Sequence, residues 1–183
     1  MPVHDYRRRA PGRRLDAMAT ALVESWRQRG SLDARGENKT GFSGLLCTFK
    51  PSDMPPSGSS GHRVQITKPL ALRTISQFRA MPINTGAGLS GHLKSHVVGA
   101  VRSASVEADG IHIQGVLWDK NMPGAIANIK AHERLLGLSF EASDIQVADE
   151  SADVWVLTDL EWTGCSILLK RAAAFSSSWI KLD

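Results

Sequence analysis

The sequence predicts a mainly β chain with a few helices, its strands forming an antiparallel barrel. Three observations carry that expectation. Most strand-like runs are neighbours in sequence, where a doubly wound parallel sheet would alternate them with helices. Asp109-Gly110 sits between two such runs, Val97 to Glu107 and Ile111 to Trp118, and Asp-Gly in that position signals a hairpin. The one literal G-x-G-x-x-G, Gly86 to Gly91, follows a helix and a proline and precedes a strand-like run, so it lacks the strand–loop–helix setting of a dinucleotide site.

The elements follow in order. Leu15 to Arg29 has apolar residues at spacings of three and four, a helix that Gly30 ends. Residues 30–40 are a polar linker, and Phe42 to Phe49 is the first strand. Pro51, Pro55, Pro56, Gly58 and Gly61 break residues 51–61 into a loop. Val64 to Thr67 is a short strand, and Lys68-Pro69 opens a helix to about Phe78. Residues 81–92 read as a flexible, glycine-rich loop that delivers His92 to a cleft. Met122-Pro123 opens a helix to about Arg134. Leu135 to Val147 is an apolar strand with Ser139 in its middle. Val154 to Leu160 and Thr163 to Leu169 make one long strand or two consecutive ones. Lys170 to Phe175 is helix-like, and a Ser-rich tail ends the chain. The expected organisation is a basic arm with helix and linker at 1–40, a barrel domain at 41–175 and a flexible tail at 176–183.

Charge is concentrated at one end. Residues 1–29 carry seven Arg against Asp5, Asp16 and Glu24, a surplus of four that equals the whole formal net charge of +4. The rest is balanced, so the domain is no polyanion binder, and a basic run without interleaved aromatics is weak ground for nucleic acid. No apolar run approaches the roughly eighteen residues of a membrane helix. No apolar stretch follows the basic N-terminus as a secretory signal would require. Cys47 and Cys165 stand in apolar surroundings without metal-ligand neighbours, as core thiols of a reducing compartment do.

Nucleophilic chemistry is the one chemistry the residues suggest. A serine hydroxyl attacks only when a base within hydrogen-bond reach takes its proton, and neutral imidazole suits that role. Ser139 lies in a strand, in Gly137-Leu138-Ser139-Phe140-Glu141, without the second glycine of G-x-S-x-G. His92 ends a glycine-rich loop, where a side chain can reach substrate. His96 is the alternative base. Glu141 shares a strand face with Ser139 by the period of two.

Four places from Lys68 to Phe175 resemble the prohead proteases of tailed phages, the capsid maturation peptidases related to herpesvirus assemblin. They are His92 with Gly99 seven residues on, the Asp109-Gly110 hairpin with Ile111 to Leu117, Leu136 to Glu141 after a helix, and Leu160 to Leu168 running into Lys170-Arg171-Ala172-Ala173. The resemblance implies a Ser/His endopeptidase on a herpesvirus-protease-like barrel. Ser139 would be the nucleophile and His92 the base; Glu161, at the mouth of the last strand, is the first choice for the third catalytic residue, with Glu141, which otherwise lines the cleft, or a histidine as the alternatives. Lys170-Arg171 stands at the offset of the family's oxyanion-binding basic pair. It further implies no cofactor and no metal. The substrates would be the major capsid protein and a scaffold protein, met inside an assembling procapsid in the host cytoplasm. The basic arm would tether the enzyme to an acidic scaffold. A catalytically silent capsid-assembly module on the same fold is the competing expectation.

Overall fold

A computed structural model describes residues 38–183, and the expected basic arm and helix lie outside the described residues. Eight strands form one curled sheet. They are β1 (Lys39–Thr48), β2 (Arg63–Ile66), β3 (Pro82–Asn84), β4 (Val97–Val106), β5 (Gly110–Trp118), β6 (Leu136–Val147), β7 (Val154–Leu169) and β8 (Trp179–Leu182). Two α-helices accompany them, α1 (Lys68–Thr74) and α2 (Pro123–His132).

The Asp-Gly hairpin forms as expected: β4 and β5 pair antiparallel, and β5 pairs β1 antiparallel in turn. The antiparallel expectation needs one correction. The sixteen-residue β7 takes β6 along one edge antiparallel, but β2 and β3 pair with it in parallel, at Arg63↔Val154 to Ile66↔Leu157 and at Ile83↔Cys165 and Asn84↔Ser166. The cause lies in the connections. β2 and β3 are short strands that return to one long strand through the α1 segment and β4, and such crossovers allow parallel pairing. Closure is also incomplete as a ladder among the described residues. β6 packs against β1 and β8 without pairing to them, and the seam is held by Leu138 N–H donating to Ser178 Oγ at 3.2 Å.

Three local expectations change. α1 ends at Thr74 and gives way to a tighter turn over Ile75–Phe78. Thr67 caps it, its Oγ1 accepting the Leu70 N–H at 3.3 Å, and Leu70, Ala71 and Thr74 are its buried face. Lys170–Ala172 forms only a single tight turn, although alanines favour helix. The serine-rich end is no loose tail: Trp179–Leu182 pairs with β1 from Phe42↔Leu182 to Leu45↔Trp179. Its alternation, Ile180 buried and Lys181 exposed, is real but only four residues long.

The core lies inside the curl. Phe42, Leu46, Ile66, Phe78, Ile83, Ile111, Leu117 and Leu138 are almost wholly buried. α2 adds Ile126 and Ile129, each contributing about 1.5–3 kcal/mol by the area rule. Trp162 of β7 packs against Phe78 with the rings tilted, centroids 4.8 Å apart, and its buried indole N–H donates to Thr74 Oγ1 at 2.8 Å, which locks the α1 segment to the sheet.

Candidate active site

β6 and β7 set the position of Ser139. Ser139 opposes Ser166, and opposed residues of an antiparallel pair project to one face. Two residues along β6 the same face carries Glu141, opposite Gly164.

The segment before His92 is compact, not the flexible loop its glycines suggest. Thr85 Oγ1 donates to Ile167 O at 2.9 Å, Thr85 N–H donates to His96 O at 3.2 Å, and Ser166 Oγ lies 3.1 Å from Gly91 O. Leu89 is buried and holds a positive φ of 56°, a strained conformation for a branched side chain that its burial compensates. A Cβ on Gly86 would meet Gly91 O at 2.6 Å, so the loop folds onto itself too closely for any side chain there. Gly86 serves tight packing and Gly88 the positive φ of 61°, and the result is a fixed perch for His92.

His92 Nε2 lies 3.0 Å from Ser139 Oγ, and His92 Nδ1 lies 3.0 Å from Glu141 Oε1. A carboxylate only accepts, so Nδ1 carries the proton in the neutral ring and Nε2 presents its lone pair to the serine hydroxyl. That tautomer can accept the serine proton, and the carboxylate stabilises the imidazolium that results. The carboxylate side chain is only 9% exposed, against 30% for the imidazole. Asn84 Nδ2 also donates to Glu141 Oε1, and Lys94 Nζ lies 3.8 Å from Oε2.

The structure thus brings Ser139, His92 and Glu141 together and leaves Glu161 out. Glu161 is exposed on β7 opposite Ser143, four residues beyond Ser139 along β6. At about 3.3 Å per residue that is on the order of 13 Å of strand. Its neighbour Trp162 turns inward to Phe78 and Phe140, which sends Glu161 to the outer face. His96, the alternative base, serves the fold through its backbone: its N–H donates to Leu93 O at 2.8 Å and its carbonyl accepts Thr85 N–H. Lys170 and Arg171 follow β7 without lining the cleft at Ser139, although Leu168, Ala172 and Ala174 do. Sequence reading missed Asn84 and Lys94. A lone Asn and a lone exposed Lys carry no spacing signal.

The cleft at Ser139 has a volume of about 490 Å³. One wall is the proline-rich loop, with Met54 and Ser57, and another is Phe140 and Ala142 of β6. Asp53 clamps that loop by accepting from Ser176 N–H at 2.8 Å and Ser176 Oγ at 2.7 Å, and these bonds, the hydroxyl's first, hold its carboxyl below the usual carboxylate range. A second cleft of about 520 Å³ adjoins along β6, sharing Pro56, Ser57, Phe140 and Ala142 and lined further by Val147, Trp155 and Leu157. Both thiols are inert core groups: burial pushes Cys47 up to about 12 and Cys165 well above its ordinary value. Among the described residues, the one group of acids and histidine spaced for a cation is Glu107, Asp109 and His112, on the β4–β5 hairpin and away from this cleft.

No protein-family model matches the sequence, and no curated protein does. Solved structures do match. The protease of varicella-zoster virus aligns over 79% of this chain and 64% of its own, with 12% identity and a TM-score of 0.44. KSHV protease, in complex with a hexapeptide phosphonate inhibitor, aligns over 70% of this chain and 59% of its own, with 13% identity and a TM-score of 0.43. The chain therefore spans less than two thirds of the length of either.

Proposed function

We propose that this chain is a serine endopeptidase of virus capsid maturation, with Ser139 as nucleophile, His92 as base and then acid, and Glu141 as the residue that orients and charges-matches His92. The observation that carries the reading is the unbroken line Glu141–His92–Ser139 at 3.0 Å and 3.0 Å, drawn from two separate segments of the chain, β6 and the loop that ends in His92. In the reaction Ser139 Oγ attacks the scissile carbonyl as its proton passes to His92 Nε2. His92 then protonates the leaving amine, and water repeats the exchange to free the acyl group.

The trough supports a peptide as the substrate class. Two adjoining clefts along β6, the outer one walled by Trp155, Leu157 and Val147, suit an extended peptide with apolar side chains. The major capsid protein's N-terminal segment and a scaffold protein, met inside the procapsid in the host cytoplasm, are the proposed physiological substrates. The decisive experiment is co-expression with the neighbouring capsid or scaffold protein, with products read by mass spectrometry. The parent should trim its partner while Ser139→Ala and His92→Ala should not. Equal trimming by all three would return Ser139 to a structural serine and leave an assembly module without catalysis.

A further inference from the structure

Asn84 ends β3 with its side chain buried, 2% exposed overall. Its Nδ2 donates to Glu141 Oε1, while its Oδ1 is buried without any partner. Turning the amide over would set two acceptors face to face, so the orientation is fixed by the carboxylate. A half-satisfied buried amide is costly and calls for a reason. Here the reason lies in what Glu141 would do without it. Its other oxygen lies 3.8 Å from Lys94, whose side chain is 77% exposed, so without the amide the carboxylate would be free to turn towards that charge and away from His92 Nδ1.

Ser166 supplies the other half of the arrangement. It is wholly buried, opposite Ser139 across the β6–β7 ladder and beside Asn84 across the β3–β7 ladder. Its Oγ lies 3.1 Å from Gly91 O and 3.3 Å from Asn84 O, so its one proton is shared between the residue before His92 and the strand that holds Asn84. A ring of contacts results, from Ser139 through His92, Glu141, Asn84, Ser166 and Gly91 back to His92.

We propose that Asn84 and Ser166 are positioning residues, a buried brace at the β3–β7 junction that holds the acid and the base in register with the nucleophile. The proposal rests on the hydrolase reading for its kinetic consequence but not for its geometry. Such a brace acts on the maximal rate and not on substrate affinity, because it touches neither cleft ligand nor solvent.

The test uses the full chain and a serine-directed fluorophosphonate, in which the Ser139 Oγ–P bond forms, P–F breaks and the serine proton passes to His92. A concentration series separates the maximal labelling rate from the half-saturating concentration. Asn84→Leu keeps the number and branching of the side-chain heavy atoms and removes both the donor and the orphaned oxygen, and its melting temperature is compared with the parent's to confirm that it folds. Its maximal labelling rate should fall on the order of 10²-fold, the effect of misplacement by about 1 Å, with the half-saturating concentration unchanged. The low-field NMR signal of the His92 Nδ1 proton should vanish with it. Asn84→Ser, which restores a donor, should recover part of both, and Ser166→Ala should show a smaller loss in the same rate. An Asn84→Leu protein that labels like the parent would make the amide a space-filler. If Asn84→Leu fails to fold, Asn84→Ala against Asn84→Ser decides, and equal rates would overturn the brace. Should the parent itself resist labelling at Ser139, the hydrolase reading fails separately. The Nδ1 signal then judges the brace alone, and its survival in Asn84→Leu or Asn84→Ala refutes it.

Discussion

His92 and His112 are held by carboxylates at almost the same distance, 3.0 Å to Glu141 and 2.9 Å to Asp109. Each neighbourhood also contains a serine. At the hairpin, Ser105 Oγ donates to Glu107 at 2.9 Å, and Glu107 lies 3.8 Å from the same His112 nitrogen that meets Asp109. Both acids there crowd Nε2, and the serine spends its proton on an acid. At the cleft the acid takes one imidazole nitrogen and the serine faces the other. Burial separates the two as well: the Glu141 side chain is 9% exposed, while those of Glu107 and Asp109 are 52% and 60%. Water screens the hairpin charges and leaves the cleft pair strong. The same three residue types therefore make a relay in one place and a solvated hairpin tip in the other. The order of partners and the dielectric decide which.

The sharpest way to break this comparison is to remove the serines. Ser139→Ala should abolish fluorophosphonate labelling altogether, and Ser105→Ala should leave it intact. Labelling that persists in Ser139→Ala would mean another nucleophile. The acids come next. Glu141→Gln should slow labelling by about 10³–10⁴-fold, as loss of the orienting carboxylate does in serine triads. Glu107→Gln and Glu161→Gln should label as the parent does. If Glu161→Gln slowed labelling and Glu141→Gln did not, the third residue would have to reach His92 in a conformation other than this one.

Much of this was legible beforehand, for reasons that differ by residue. The β4–β5 hairpin followed from Asp109-Gly110 because its turn chemistry is local. Ser139 and His92 were singled out because a strand serine and a loop histidine are visible as types. The sequence places Glu141 on the serine's face but leaves it behind Glu161 as the histidine's partner. Period two fixes a face, whereas the distance to His92 depends on how residues 85–91 fold. That fold hangs on Leu89 burial and on Ser166, both set by tertiary contacts. Glu161 stands at the strand's mouth in the sequence, and the inward turn of Trp162 carries it outside. β3 and the Asn84 amide left no trace, since three residues after a proline carry no periodicity.

The smallest effects belong to acid pH, and they too separate the two regions. The hydrogen bond from His112 is the largest cause that holds the Asp109 carboxyl below its ordinary value of 3.8. A depressed folded value means stability that is complete above the unfolded value and lost as pH falls through the folded one. The hairpin should thus loosen only below about pH 4, and weakly, since its groups are exposed. Asp53, held down by Ser176, follows the same sign, but its loosening frees the loop that walls the cleft. His112→Ala should return the Asp109 carboxyl upward towards 3.8, read by carboxyl-carbon NMR, and leave labelling at Ser139 untouched. Asp53→Ala should instead raise the half-saturating fluorophosphonate concentration at neutral pH with little change in maximal rate, because it releases the wall of the cleft and leaves Ser139, His92 and Glu141 in place. A fall in maximal rate would mean that the loop also positions the reacting groups, and the boundary drawn here between cleft wall and relay would then have to move.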